Sequence, residues 1–421
     1  MSEKMILVIS GSGANDSIRG LMLDYGAALE SAGHSILHVT MEPSELQYGV
    51  DLMRQGAISF AMTWLGIGQD ISVRSINGGI VNAFETLGVT LVKLQGDLPA
   101  YFNERHADIP RNTVNLYQAE EFVHYRRRWL PGASALTSLI PPIPMVPMEQ
   151  DSLNLLARRN GKIFFLKNGN SPEELRGLWR SRLPSTVAQL ADAMADQIIG
   201  IGMKAGPLYI GDFVADFISS KGIDGRPPHG LVTFLSAQMD DYLRRVKSAM
   251  IAQSILDLPV VVQGDFWQHV DFTGKRAQLV EGQDVAASQQ ILRDQLGVID
   301  MSPNVDTWPH DRVQRAAGSY SVVLTNRQSW LSERFPDFRE LSFEFDPDSI
   351  KERVHDAITN PDRYIEQAVA FGERFRTIYP REGFAQRVVE LVELSSLLWN
   401  EPRPMLQPFF IWPPRGGADA R

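Results

Sequence analysis

The sequence predicts an α/β protein built from two domains, each on a parallel sheet. Three observations carry this. Short apolar runs alternate with amphipathic helical stretches over the first 150 residues, and again after about residue 160. Strands alternating with helices argue for parallel sheets covered on both faces. The length, 421 residues, suits two or three domains at roughly 150 residues each.

The first alternation opens with MILVIS (5–10), an apolar run that reads as a buried strand. Gly11-Ser12-Gly13 follows, then a helical pattern from about Ser17 to Ala32. SILHVT (35–40) is a second strand, and a helix over about Glu42–Arg54 leads to a third, AISFAMTW (57–64). NAFETLG (82–88) reads as a helix end stopped by Gly88. VTLVKLQ (89–95) and TVNLYQ (113–118) are the fourth and fifth strands. Prolines at 141, 142, 144 and 147 break the pattern. KIFFLKN (162–168) starts a second sheet. The chain then reads as almost entirely helical from about Pro172 to Leu256. LPVVVQG (258–264), LGVIDMS (296–302), YSVVLTN (320–326) and LSFEF (341–345) are further strands, and two or three helices fill 348–398. The expected domains are 1–150 and 151–395, the second with a helical insertion at about 172–256, and a tail over 396–421.

Composition excludes several classes of function. Hydrophobic residues are 44% and charged residues 22%, ordinary for a globular chain. The net charge of −9 and the lack of a Lys/Arg block argue against a nucleic-acid partner. The nearest basic run, Arg126-Arg127-Arg128, suits a solvated helix face. There are no cysteines, so disulfides, thiolate metal sites and a cysteine nucleophile are excluded, in keeping with a cytoplasmic setting. No export signal or integral membrane segment is expected. The longest uncharged stretch, Trp129–Met148, carries five prolines. No compact His/Asp/Glu cluster has metal-ligand spacing.

Candidate site residues lie after strands, where open parallel sheets bind ligands. Gly11, Ser12 and Gly13 form a small-residue turn before a helix. It lacks the third glycine of a dinucleotide fingerprint and the Gly-Lys-Ser/Thr of a P-loop. Asp97, Tyr101, Arg105 and His106 follow the fourth strand, and Asp97 or His106 offers a general base. Lys167, Asn168, Gly169, Asn170 and Ser171 combine a cation, amides and a glycine turn suited to a phosphate. Trp267, after another strand, offers a face for a flat ring, although a core tryptophan is the commoner case. The block 296–326 is richest. Its loop holds Ser302, Asn304, Asp306, His310, Asp311 and Arg312 at the start of a helix. The helix dipole and a guanidinium suit a diphosphate, while Asp311 equally suits an N-cap.

That block also carries a resemblance. Asp311-Arg312-Val313, Ala316-Ala317-Gly318, Leu324-Thr325-Asn326, Asn360-Pro361 and Gly372-Glu373-Arg374 resemble, in order over about residues 160–390, the CgeB-like glycosyltransferases. The resemblance implies a bacterial GT-B enzyme: two Rossmann-like domains facing across a cleft, with the nucleotide-sugar donor held by the second and the acceptor by the first. It implies transfer of a sugar to an acceptor nucleophile, with no metal and no cofactor beyond the nucleotide-sugar co-substrate. The acceptor stays open among a glycan, a lipid-linked glycan, a protein or a small molecule. On this reading Arg312, the helix start and the 167–171 loop receive the leaving diphosphate. Trp267 and the 302–306 loop contact base and sugar, and Asp97 or His106 is the base of an inverting reaction. Two positions depart from the family. Tyr320 stands where a glycine usually precedes the strand, and it either narrows the donor pocket or packs elsewhere. Arg315 stands where many relatives carry a glutamate that contacts the donor. Two alternatives stay open: a GT-B-like nucleotide-sugar epimerase or hydrolase, and a non-catalytic nucleotide-sugar-binding protein.

Overall fold

A computed structural model describes residues 4–11, 17–75, 77–107, 110–130, 136–222 and 227–398. The chain divides into two units. The first opens with β1 (Met5–Ile9), α1 (Ser17–Ser31), β2 (Ile36–Val39), α2 (Pro43–Arg54) and β3 (Ile58–Trp64). A hairpin of β4 (Ser72–Arg74) and β5 (Ile80–Asn82) follows, then α3 (Ala83–Leu87), β6 (Thr90–Gln95), α4 (Asn103–Ala107), β7 (Thr113–Tyr117), α5 (Glu120–Trp129) and β8 (Leu136–Leu139).

The main sheet of this unit has the order β2-β1-β3-β6-β7-β8, parallel throughout. Its central strands β3, β6 and β7 are buried apart from Ser59, and their apolar residues are what the sequence shows as strand runs. Leu7, Ile9, Ala61 and Leu91 form a core with Leu46, Val50 and Met53 of α2 and Phe84 of α3. Local chemistry sets the short helix α3. The Asn82 side chain accepts from the Glu85 amide at 3.2 Å, and Gly88 ends the helix in the left-handed region.

The second unit runs α6 (Leu155–Asn160), β9 (Ile163–Leu166), α7 (Pro172–Arg182), α8 (Ser185–Gly202), α9 (Ile210–Ser220), α10 (His229–Ser254), β10 (Val261–Gln263) and β11 (Gln278–Val280). It continues with α11 (Val285–Asp294), β12 (Gly297–Ile299), α12 (Asp311–Ser319), β13 (Val322–Asn326), α13 (Ser329–Arg334), β14 (Ser342–Phe343), α14 (Pro347–Thr359) and α15 (Pro361–Ile378). Its sheet has the order β11-β10-β9-β12-β13-β14, again parallel. That is the doubly wound Rossmann order, with its reversal of winding between β9 and β12. Helices α7–α10 run in succession between β9 and β10. The Ser171 hydroxyl caps α7 by accepting from the Glu174 amide at 3.2 Å, with Pro172 at the first helical position.

Two differences from the expected domain layout appear. The main boundary falls between Ile143 and Pro144 rather than at 150, and Ala119–Tyr125 groups with the second unit. The last helix, α16 (Arg381–Leu398), belongs to the first unit rather than closing the second. It packs on α1 through the Phe384 and Tyr25 rings, 5.0 Å apart, and Arg381 donates to the Asp24 carbonyl at 2.9 Å. The tail expected from 396 begins inside this helix, and residues beyond 398 lie outside the described part. Among the described residues, no helix is long and apolar enough to cross a membrane.

Candidate functional site

The winding of the second sheet reverses between β9 and β12, so the crevice beyond their carboxyl ends is where such a sheet receives a ligand. Lys167 follows β9 directly, and Asp300 follows β12. Asp300 is fully buried and gathers the site. Its Oδ1 accepts from His310 Nδ1 at 2.8 Å and Arg312 Nε at 3.0 Å, and its Oδ2 from Thr325 Oγ1 at 3.0 Å. Burial alone would raise this carboxyl, but the His310 and Arg312 charges outweigh it and hold it low.

His310 bridges two carboxylates, with Nε2 2.9 Å from Asp311 Oδ1. Burial opposes its charge, yet Asp311 and Asp300 together raise its pKa. Both ring nitrogens face carboxylates, an arrangement that favours the doubly protonated ring. Asp311 heads α12, and the charges of His310, Arg312 and Arg315 hold its carboxyl far below the usual range despite burial. The outcome is a network that fixes Arg312 at the start of α12 with its inner nitrogen tied to Asp300.

Lys167 completes the arrangement. Burial and the neighbouring Arg312 and Arg244 cations push its pKa down to about 8, with Asp300 and Asp241 pulling the other way. Arg244, on α10, is held by Asp240 one turn earlier at 2.7 Å. Arg244 of α10 and Arg312 of α12 thus both lie within electrostatic reach of Lys167, just beyond β9, at one strand crevice. Such a place favours an anion of more than one charge.

The other expected residues divide. Asn168 and Asn170 are exposed in the loop after β9, and Asn168 Oδ1 accepts from the Asp265 amide at 3.0 Å. Ser302 and Asn304 are buried and hold the loop itself. The Ser302 hydroxyl donates to the Val305 carbonyl at 2.6 Å, and Asn304 Nδ2 donates to Asp240 Oδ1 at 2.9 Å. Trp267 needs correction as a stacking surface. It is 2% exposed, its indole donates to the Lys167 carbonyl at 2.9 Å, and its ring packs 6.0 Å from Phe165. A Cβ on Gly169 would lie 2.0 Å from that ring, so the glycine serves the tryptophan. The exposed aromatic is its neighbour Phe266, 57% exposed with φ 64°.

Tyr320 also needs correction as a pocket residue. It ends α12 in the left-handed region with φ 55°, the conformation that favours glycine and so accounts for the expected glycine there. Its ring packs against Gly372 and under Arg376, whose Cζ lies 4.3 Å from the ring centre. Its hydroxyl donates to Glu373, and burial together with that bond pushes it up to about 12. Arg315 is buried, with Nε 3.5 Å from Asp311 Oδ2.

In the first unit, the winding reverses between β1 and β3. Gly11 follows β1, while Ser12 and Gly13 lie outside the described residues. Asp97 stands half-buried in the bend after β6. Gly96 before it admits no side chain, because a Cβ would meet Trp64 at 2.1 Å. Tyr101 is half-buried in a single turn of 3-10 helix. His106 stands apart from Asp97's environment as a base candidate. It is 2% exposed, 2.7 Å from the Tyr117 hydroxyl, and burial and nearby cations push it down to about 3. It is a neutral interior group.

Sequence reasoning passed over Asp300 and Arg244. The first was inside a strand pattern whose polar end was its signal. The second was one of many helical charges, with no local signal.

No protein-family model matches the chain, and no curated protein matches it. Among solved structures it is similar to an alpha-glucosyltransferase in complex with UDP and a 13-mer DNA containing a HMU base, at 9% identity and TM-score 0.49, over 93% of this chain and 100% of that one. It is similar to sucrose-phosphate synthase from Thermosynechococcus elongatus, at 11% identity and TM-score 0.46, over 94% and 100%. It is also similar to T4 phage BGT in complex with UDP and Mn2+, at 7% identity and TM-score 0.48, over 92% and 100%. At such identities and scores, the strand orders above carry the fold.

Proposed function

We propose that the protein is a GT-B glycosyltransferase that takes a nucleoside-diphosphate sugar at the carboxyl ends of β9 and β12. The observation that carries the reading is the convergence of Lys167, Arg244 and Arg312 beside buried Asp300 at the winding reversal of a Rossmann sheet. The resemblance over residues 160–390 supplies the reaction class.

In the transfer, the bond between the anomeric carbon and the diphosphate oxygen breaks as the acceptor oxygen bonds to that carbon. Negative charge grows on the leaving diphosphate. Lys167 and Arg312, held in place before the reaction, stabilise it, and the amino end of α12 adds its dipole. The reading assigns this role to side chains rather than to a metal. Among the described residues no three His, Asp or Glu side chains gather as a metal-holding group. Asp97 is the proposed base for an acceptor hydroxyl if the anomeric centre inverts. His106, neutral and enclosed, is not proposed for it.

Thermal unfolding against nucleoside diphosphates and their sugars tests the donor site. One nucleotide family at about a hundred times its dissociation constant raises stability by about 2.7 kcal/mol. Lys167→Ala cuts the shift by half or more, and turnover with acceptor is unchanged by a chelator. The absence of any shift overturns the reading. Donor consumption without acceptor favours the epimerase or hydrolase, and binding without turnover favours a binding protein.

A further inference from the structure

A strand in a parallel sheet is buried on both faces and is normally apolar throughout. The first unit departs from this toward the carboxyl ends of β3, β6 and β7. Thr63, Lys93, Asn115 and Thr137 are register partners in adjacent strands, so their side chains share one face. Gln95 and Tyr117, two residues further on, continue that face. Thr63, Lys93, Gln95, Asn115 and Tyr117 are all at most 1% exposed. Leu91, on the same face one step back, belongs to the apolar core. The face therefore changes from apolar to polar at the edge where such sheets bind ligands.

Three basic side chains meet there. Lys93 Nζ donates to Gln69 Oε1 at 2.9 Å and to the Arg105 carbonyl at 2.8 Å. Arg105 donates to the Leu65 carbonyl at 2.9 Å. Arg126 donates to the Leu130 carbonyl and is hydrogen-bonded to the Tyr117 hydroxyl. These partners are all neutral. Among the described residues, the charges that act on Lys93 and on His106 are likewise other cations of this cluster. Two buried donors, Arg126 Nε and Asn115 Nδ2, have no acceptor among the described residues, and both residues are at least nine-tenths buried. Burying cations without a countercharge is costly, and so is burying donors without acceptors. An oxyanion supplies both the charge and the acceptors at once.

We propose that this face of the first unit is an oxyanion site, and that the acceptor of the transfer carries a phosphate or carboxylate that Arg105, Arg126 and Asn115 receive. The site lies on the strand that leads into Asp97, through Gln95 and Gly96. An acceptor anchored by its anion at Lys93–Asn115 therefore has its hydroxyls toward the bend that holds the proposed base. The acceptor role rests on the transferase reading; the anion site does not.

The test is thermal unfolding of the full chain in phosphate, acetate and chloride at equal ionic strength. Phosphate or acetate raises the midpoint by at least about 2 °C over chloride, and the one that does so identifies the anion. Arg105→Gln, at a half-buried position, keeps the fold and loses the shift, and Arg126→Gln does the same. Lys167→Ala, which disables the proposed diphosphate site, keeps it. Equal midpoints in all three salts overturn the proposal. So does a shift that survives Arg105→Gln but is lost in Lys167→Ala, because the anion then sits in the second unit. A chain that gives the phosphate shift but binds no nucleotide sinks the transferase reading and leaves the oxyanion site standing.

Discussion

Lys167 shows how one side chain is tuned by where its strand ends. Its ordinary pKa near 10.4 falls to about 8 because burial and two guanidinium groups disfavour its charge. The ammonium is present below that value and is lost as the pH rises through it. Nucleoside-diphosphate affinity, measured by calorimetry, is therefore level up to about pH 7 and declines above pH 8. Lys167→Ala lowers affinity by roughly ten- to a hundredfold, the worth of one charge-assisted hydrogen bond, and removes that decline. A decline that persists in the variant assigns the titration elsewhere. Trp267 and Phe266 teach the complementary lesson. A tryptophan after a strand is legible in sequence, but its burial is decided by Gly169 and Phe165, about a hundred residues earlier. Trp267→Ala costs about 3–5 kcal/mol on denaturant unfolding. Phe266→Ser, at an exposed position, stays within about 0.5 kcal/mol.

Among the elements, legibility followed length and pattern. The strands of five to seven residues, β1, β3, β6, β7 and β13, are buried over most of their length, and their apolar stretches show in the sequence. The three-residue strands β4, β5 and β11 are partly or wholly exposed and leave no apolar run, whereas the equally short β10 and β12 are buried and were legible. β8 lies in the proline-rich uncharged stretch, where sequence signals a break rather than a strand. The loop into α12 was legible as polar groups converging after a strand. Its roles were not, because Asp300 rather than the loop organises the charges. The helix's far end was readable as a departure from the glycosyltransferases the sequence resembles, and its consequence is structural. Tyr320 turns onto α15. Tyr320→Phe removes the bond to Glu373, lowers stability by about 1 kcal/mol, and leaves nucleotide affinity unchanged. A tenfold loss of affinity in that variant contradicts this placement.

At the scale of the whole molecule, periodicity along the chain divides it into two α/β parts, but it cannot say which part a terminal helix joins. A helix of 18 residues with buried Phe384, Ala385, Val388 and Leu391 has an apolar stripe that suits either sheet. The choice is made by α1, which offers Tyr25 and the Asp24 carbonyl, so the chain completes its first unit with its last helix. The first unit is therefore not a contiguous stretch of sequence. Its folding needs the chain to return across more than 200 residues of the second unit, a long loop whose closure costs only slowly more with length. Removing residues 379–421 takes Phe384, Val388 and Leu391 from this unit, at about 1.5–3 kcal/mol for each large side chain. That is a large fraction of a domain's net stability. Hydrogen exchange on the shortened chain then shows the amides of β6 and β7 losing protection, because α16 packs on both strands. The amides of β9 and β12 keep theirs, and nucleotide binding survives with them. Equal protection of β6 and β7 in the full and shortened chains refutes the assignment of α16 to the first unit's stability.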